Sequence, residues 1–158
     1  MEIELVRTTS SVGESCLHLQ LTPAYRRDIF ADGNVRELTK GYFLEKSRKL
    51  GLLIAAMNFG PDHFHAFITN WKKYSVEKIA NELKGFTSYM MRRFHKELFI
   101  DKLWGKKFWS EGYFYRTVGV VTREAVEFYI KNSQKKHWKA VDYHYYKDKQ
   151  QKLLAEFN

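Results

Sequence analysis

Two histidines separated by one residue, His63 and His65, are the side chains of this sequence best suited to binding a metal ion. In a β-strand, residues i and i+2 point to the same face of the sheet, so both imidazoles would project together while Phe64 points to the other face. Neighbouring neutral imidazoles supply two of the ligands that a divalent cation needs. The same spacing also arises by chance in many strands, so the pair alone leaves both interpretations open.

The candidate nucleophile is Tyr129, which comes late in a predicted helix and precedes the polar residues 131–134. A tyrosine oxygen can attack a phosphodiester and hold the DNA as a covalent phosphotyrosine. Because the unperturbed pKa of tyrosine is about 10, the attack needs help. A metal held by His63 and His65 would provide it by polarising a phosphate oxygen. The alternative interpretation is a tyrosine buried in the core, and three further tyrosines could then be the nucleophile: Tyr113, Tyr115 and Tyr143.

The charge of the chain favours a polyanionic partner. Its 158 residues carry a formal net charge of +9, and 16% of them are aromatic. Binding phosphates releases condensed counterions, which favours association of a basic protein with nucleic acid. Rings lie beside cations in residues 106–109 and 135–139, a pattern that suits single strands because rings stack on unpaired bases. In the alternative interpretation these rings belong to the core and the lysines are solvated.

Size and composition indicate one principal domain, residues 1–134, followed by a basic, aromatic extension, residues 135–158. No segment approaches the roughly 18 apolar residues that a membrane span requires, and the first residues lack the pattern of a secretory signal. The single cysteine, Cys16, cannot form an internal disulfide, so we expect a reducing cytoplasm and no membrane partner.

Alternation of apolar and polar residues predicts a strand over residues 16–22. The apolar run 52–59 predicts a strand of the buried type, and residues 63–69 predict the strand that returns beside it. Residues 108–118 predict a fourth strand, which Gly112 interrupts. Residues 60–62 form the turn of a hairpin between the second and third strands.

Three helices are predicted between and after these strands. The first covers residues 35–50, with Asn34 as its cap and Glu37 in a capping box. The second follows Ser75 and continues to Lys96, and the third covers 123–134 after Thr122. The order of the elements predicts an α+β fold, a ferredoxin-like (RRM-like) βαββαβ antiparallel sheet with a C-terminal helix that carries the tyrosine. One face of the sheet is left for a ligand.

Five segments spread over residues 14–134 together resemble the IS200/IS605 transposases, members of the HUH endonuclease group, in which U is a bulky apolar residue. Each segment is weak evidence alone, but their number, order and spacing make the resemblance specific. They are LHLQLTPAYRR at 17–27, PDHFHAF at 61–67, MMRR at 90–93, WSEGYF at 109–114 and EFYIK at 127–131.

The resemblance implies a transposase that cleaves and rejoins single-stranded DNA at insertion-sequence ends and recognises subterminal hairpins. It implies a 5′-phosphotyrosine at Tyr129 and Mg²⁺ or Mn²⁺ held by His63 and His65. It also implies a homodimer in which each site takes its histidines from one subunit and its tyrosine from the other. Gly119 would then be the hinge that allows the exchange.

The third metal ligand stays open between Ser133, Gln134 and Asn132. The family often places a glutamine or another polar ligand four residues after the tyrosine, and Ser133 occupies that position here. At about 100° per residue, Ser133 lies about 40° from Tyr129 around the helix and Gln134 about 140° away. Ser133 therefore has the right face but a short side chain, while Gln134 has the right chemistry on the wrong face.

The roles of several other polar residues stay open between two interpretations. Asp62 either orients a metal-bound imidazole or shapes its turn, and His18 faces either the catalytic side or the surface. The basic residues expected to contact DNA phosphates, with solvated surface residues as the alternative, are Arg92, Arg93, Lys135, Lys136 and Lys139.

Two other functions remain possible at this stage. A domesticated, repeat-associated tyrosine transposase would use the same chemistry, and only the neighbouring DNA would distinguish it. A non-catalytic single-stranded nucleic-acid-binding module on the same fold would need aromatic residues on the sheet, but not His63, His65 and Tyr129 together.

Overall fold

The structure, a computed structural model, describes residues 6–7, 12–13 and 15–118. All of these residues belong to one compact unit, Ile3–Val121. The predicted third helix and the basic extension lie outside the described residues. The same holds for the predictions made for Gly119, Tyr129, Asn132, Ser133, Gln134, Lys135, Lys136, Lys139 and Tyr143.

Two helices accompany a four-stranded antiparallel sheet, in agreement with the predicted ferredoxin-like α+β fold. Short strands β1 (Val6–Arg7) and β2 (Val12–Gly13) pair with each other. The sheet has the order β4-β5-β3-β6. Its strands are β3 (Cys16–Leu21), β4 (Leu53–Gly60), β5 (His63–Thr69) and β6 (Phe114–Val118), and the helices are α1 (Gly33–Lys49) and α2 (Val76–Phe94). Neither described helix is long and apolar enough to cross a membrane.

The two faces of the sheet differ in chemistry because side chains alternate along each strand. On one face, the leucines of β3 join the hydrophobic core with Phe64, Ala66 and Ile68 of β5. The other face carries His18 and Gln20 of β3 opposite Phe67 and His65 of β5. The face predicted for the helices is therefore present, and the histidines lie on the opposite face.

Helix α1 begins earlier than predicted, and the proposed cap Asn34 is wrong. Asp32 is the cap, since its carboxylate accepts hydrogen bonds from the backbone N–H groups of Asn34 at 2.8 Å and Val35 at 3.2 Å. Aspartate and asparagine cap helices equally well, so residue preference could not separate them. Glu37 consequently lies beyond the third helical position that a capping box requires.

Helix α2 confirms Ser75 as its cap, because the Ser75 hydroxyl accepts from the Lys78 N–H at 3.1 Å. Its predicted extension to Lys96 is wrong. The helix ends at Phe94, and a separate 3-10 turn, Lys96–Leu98, follows the cap residue His95.

The last strand is shorter than the predicted 108–118. Trp109 forms only an isolated bridge with Pro23, which has no N–H to continue a ladder. The Trp109 indole instead donates to the Thr87 hydroxyl of α2 at 2.7 Å, and Phe108 and Trp109 are buried. In residues 106–109, the two rings therefore belong to the core and are not available to stack on bases.

The single cysteine offers a direct test of this fold. Cys16 is fully buried in β3, and burial raises the pKa of its thiol to about 12. Since the thiolate is the reactive form, we expect no reaction of the folded protein with Ellman's reagent at mildly alkaline pH. One equivalent should react after unfolding in guanidinium. Rapid stoichiometric reaction of the folded protein would contradict the placement of Cys16.

Candidate metal centre

A tight hairpin positions the two histidines. Strands β4 and β5 are joined by the two residues Pro61 and Asp62, and Gly60 pairs with His63 across the turn. The Phe30 N–H donates to the Pro61 carbonyl at 3.0 Å and thereby ties the turn to the body of the protein. His63 and His65 share one face of β5 as predicted, with ring centroids 5.1 Å apart and ring planes at 76°.

The ring of His63 is oriented by a carboxylate. His63 Nδ1 lies 2.8 Å from Asp62 Oδ1, and Arg26 Nε donates to Asp62 Oδ2 at 3.2 Å. Burial opposes ionisation of Asp62, but the hydrogen bond with His63 and the charge of Arg26 outweigh it and hold the Asp62 pKa below its usual value. Asp62 is thus an anion that accepts the proton of Nδ1, which leaves His63 Nε2 as the ligand atom.

His65 is oriented by a second imidazole. His18 Nε2 lies 2.9 Å from His65 Nδ1, and the His18 ring stacks on Phe67 with centroids 4.6 Å apart. Burial, followed by neighbouring positive charge, lowers the pKa values of His18 and His65 to about 3, so both rings are neutral near neutral pH. The tautomer in which His65 Nδ1–H donates to His18 leaves His65 Nε2 as a ligand atom.

The two remaining nitrogens fit a divalent cation. Within the described part of the chain, neither His63 Nε2 nor His65 Nε2 has a hydrogen-bond partner, although both are buried. Leaving a buried polar atom unpaired costs about 1–3 kcal/mol, which coordination would remove. The two ring centroids lie 5.1 Å apart, so the imidazoles are direct neighbours on one face of the sheet. The described residues contain no set of three clustered His, Cys, Asp or Glu side chains that could hold a metal ion.

His18 is the site residue that sequence reasoning undervalued. It is fully buried on the face of His65, so the surface interpretation is wrong. The available signal was its position between Leu17 and Leu19, which places it opposite the core leucines on β3.

The site leaves no room for a side chain at Gly60. A Cβ atom added there would lie 2.1 Å from His63 Cε1 and 2.5 Å from His63 Nε2. Strand pairing brings the two residues face to face, so the absence of a side chain at Gly60 sets the position of the imidazole.

Tyr113 and Tyr115, two of the alternative nucleophiles, lie on the side of the sheet opposite His63 and His65. Tyr115 pairs with the core-facing Leu19, so it points to the helix face. The ring of Tyr113 lies 6.0 Å from Lys84 Nζ of α2, also on that side. Neither tyrosine shares a face with His63 and His65.

Arg92 has an internal role. It donates to the carbonyl of Leu103 at 2.8 Å and to that of Lys107, and its guanidinium lies 5.1 Å from the centre of the Phe99 ring. Arg93 is exposed. A DNA contact stays a prediction for both residues. The exposed Arg93 is the better placed of the two, because the Arg92 guanidinium is already bonded to backbone carbonyls.

Comparisons with known proteins show the family of the chain. The family model described as "Transposase IS200 like" matches residues 11–133. The ISDra2 transposase TnpA of Deinococcus radiodurans is 25% identical over 136 residues, which cover 86% of this chain and 96% of that protein.

Two solved structures are also similar. A crystal structure from Deinococcus radiodurans R1, assigned as a transposase, superposes with a TM-score of 0.64 at 23% identity and covers 84% of this chain and 100% of its own. It supports the fold. A REP-associated tyrosine transposase bound to a REP hairpin reaches a TM-score of 0.49 at 13% identity, covering 84% of this chain and 76% of its own. That score is too low to support a conclusion here.

Gly60→Ala tests whether the described histidines form a metal centre. The added methyl group should displace the His63 ring, since a side-chain rotation is less costly than moving a strand. We expect Mn²⁺ affinity of the DNA-free protein to fall about tenfold or more, a loss typical of misplaced ligands, measured by electron paramagnetic resonance. Gly112→Ala is the control, because a Cβ there meets nothing within 4 Å. Equal affinity in both variants would mean that His63 does not bind the ion.

Proposed function

Since the chain belongs to the family of IS200-like transposases, whose model spans most of its length, we propose that it cleaves and rejoins single-stranded DNA at insertion-sequence ends through a 5′-phosphotyrosine on Tyr129. The observation that carries the proposal is the pair of buried, oriented imidazoles with two open Nε2 atoms. Such a pair suits phosphoryl transfer. It has no evident use in a module that only binds nucleic acid.

We take Mg²⁺ or Mn²⁺ as the cofactor, held by His63 and His65. When bound, a divalent cation withdraws charge from a non-bridging phosphate oxygen and makes the phosphorus more electrophilic. Mg²⁺ prefers oxygen ligands, so two imidazoles imply a site of modest affinity that oxygen atoms complete. Ser133, Gln134 and Asn132 remain the candidates for a third protein ligand.

In this proposal, the Tyr129 oxygen attacks the scissile phosphorus and the bond to the 3′ oxygen breaks. Tyrosine loses its proton and the departing oxygen gains one, so the products are a free 3′-OH and a 5′-phosphotyrosine. Attack of a 3′-OH on the phosphotyrosine reverses these steps and rejoins the strands. Asp62 and His18 act as positioning residues that hold the two imidazoles ready for coordination.

The proposed DNA ligand is a subterminal hairpin with its flanking single strand. Its phosphates would contact Arg93 and the basic residues Lys135, Lys136 and Lys139, in keeping with the net charge of +9. Charged contacts of this kind position the strand without reading its sequence.

Tyr129→Phe tests the nucleophile. The substrate is a single-stranded oligonucleotide from the end of the element, labelled at its 3′ end because a 5′-phosphotyrosine retains the downstream fragment. With Mn²⁺, the unmodified protein should give a labelled adduct that survives a denaturing gel. Tyr129→Phe should give none while binding DNA normally, since only the reacting oxygen is removed, and His63→Ala should also give none.

Tyr115→Phe is the matched control and should keep the adduct, because Tyr115 lies on the helix face of the sheet. An adduct that persists in Tyr129→Phe would show that another residue is the nucleophile.

Mixing two inactive variants tests the proposed homodimer with Tyr129 acting in trans. A heterodimer of His63→Ala and Tyr129→Phe contains one site with intact histidines and an intact tyrosine from different subunits. Adduct formation should therefore recover to about a quarter of the normal level after random reassortment, because half of the dimers are mixed and each has one of two sites intact. A mixture as inactive as its components would exclude the arrangement in trans.

A further inference from the structure

Two exposed aromatic rings lie close to the residues that orient His63. Tyr25 is 79% exposed and Trp104 is 68% exposed, which is unusual for rings of this size. The Arg27 guanidinium lies 5.1 Å from the centre of the Trp104 ring. They belong to an open cavity of about 500 Å³, which we call the Tyr25–Trp104 cleft and which is lined by Tyr25, Arg27, Lys102, Leu103, Trp104 and Gly105.

The backbone of the cleft adopts an uncommon conformation. Tyr25 has φ 57° and Arg26 has φ 52°, in the left-handed region that non-glycine residues rarely occupy. Flanking hydrogen bonds maintain the turn, from the Ala24 N–H to the Phe108 carbonyl and from the Arg26 N–H to the Pro23 carbonyl, both at 2.9 Å. Strain of this kind persists where the surroundings enforce it and concentrates at functional sites.

The same turn connects the cleft to the metal-binding pair. Arg26, which lies between Tyr25 and Arg27 in the chain, contacts Asp62 at 3.2 Å, and Asp62 in turn lies 2.8 Å from the His63 ring. Arg26 and Asp62 therefore link the turn that carries Tyr25 and Arg27 to the His63 ring. A cleft beside this turn suits a neighbouring part of the substrate that reacts at the histidines.

The chemistry of the cleft selects its ligand. Exposed rings with a stacked guanidinium form a platform for planar aromatic groups, while Arg27 adds positive charge for a phosphate. Lys102 is partly neutralised by Asp28 at 3.3 Å, so Arg27 is the main unneutralised charge. In a duplex the base faces are already stacked, so only an unpaired base can present its face to this platform.

We propose that the Tyr25–Trp104 cleft binds an unpaired nucleobase of the single strand and so places the adjoining phosphates near His63. The proposal rests on the proposed function in taking DNA as the ligand. Stacking of one base on an aromatic residue is commonly worth about tenfold in affinity or more.

The test compares two oligonucleotides of equal length, one of thymidine and one of abasic nucleotides that keep the phosphates. Binding is measured by fluorescence anisotropy with full-length protein carrying Tyr129→Phe. Adding Trp104→Ala should weaken binding of the thymidine oligomer about tenfold and leave binding of the abasic oligomer unchanged. Trp104→Tyr should restore most of the affinity because it retains a ring. Tyr89→Ala is the control, since Tyr89 is similarly exposed, at 62%, on α2.

Other outcomes overturn the proposal. An equal loss of affinity for both oligomers in Trp104→Ala would show that the cleft contacts phosphates and not a base. Unchanged affinity for both would show that the cleft does not bind DNA. A change of oligomeric state in Trp104→Ala would make it a protein interface. If binding depends on the base but the unmodified protein forms no adduct, the cleft proposal stands and the proposed catalysis is refuted. If an adduct forms but binding does not depend on the base, the catalysis stands and the cleft proposal is refuted. A full-length protein that binds neither oligomer would refute both.

Discussion

Strand β5 lies between β3 and β4, and its register with both neighbours determines which of its side chains meet the helices. A shift of one residue would turn His63 and His65 into the hydrophobic core and would remove Phe64 from it. Burial of Phe64, Ala66 and Ile68 therefore enforces the position of the histidines. The geometry of the candidate site depends on this hydrophobic constraint more than on any polar contact within it.

The two imidazoles are alike in sequence but differ in their partners. His63 contacts the carboxylate of Asp62, whereas His65 contacts a neutral imidazole. A carboxylate partner increases the electron density of the imidazole more than a neutral partner does. In the proposed metal centre, His63 would therefore be the stronger donor to the cation and His65 the weaker one.

The sequence was sufficient for features that depend on neighbouring residues. Alternation in β3, the hairpin turn that precedes β5 and the Ser75 cap are local signals, and the structure confirms them. Contacts between residues distant in sequence could not be predicted in this way. His18 and His65 are 47 positions apart, and no local pattern indicates that they meet. The start of α1 was predicted two residues too late because Asp32 and Asn34 are equally good capping residues. The last strand is shorter than predicted because Trp109 contacts Thr87 of α2, 22 positions away in the sequence.

Arg92 fastens the segment that carries Trp104 to the end of α2, because its guanidinium donates to the carbonyls of Leu103 and Lys107 on either side of that ring. The backbone on both sides of Trp104 is therefore tied to α2. A free surface loop would lose conformational entropy on binding, and this loss would reduce affinity. If the cleft binds a base as proposed, Arg92 would favour that binding without touching DNA, because it keeps this backbone ordered beforehand.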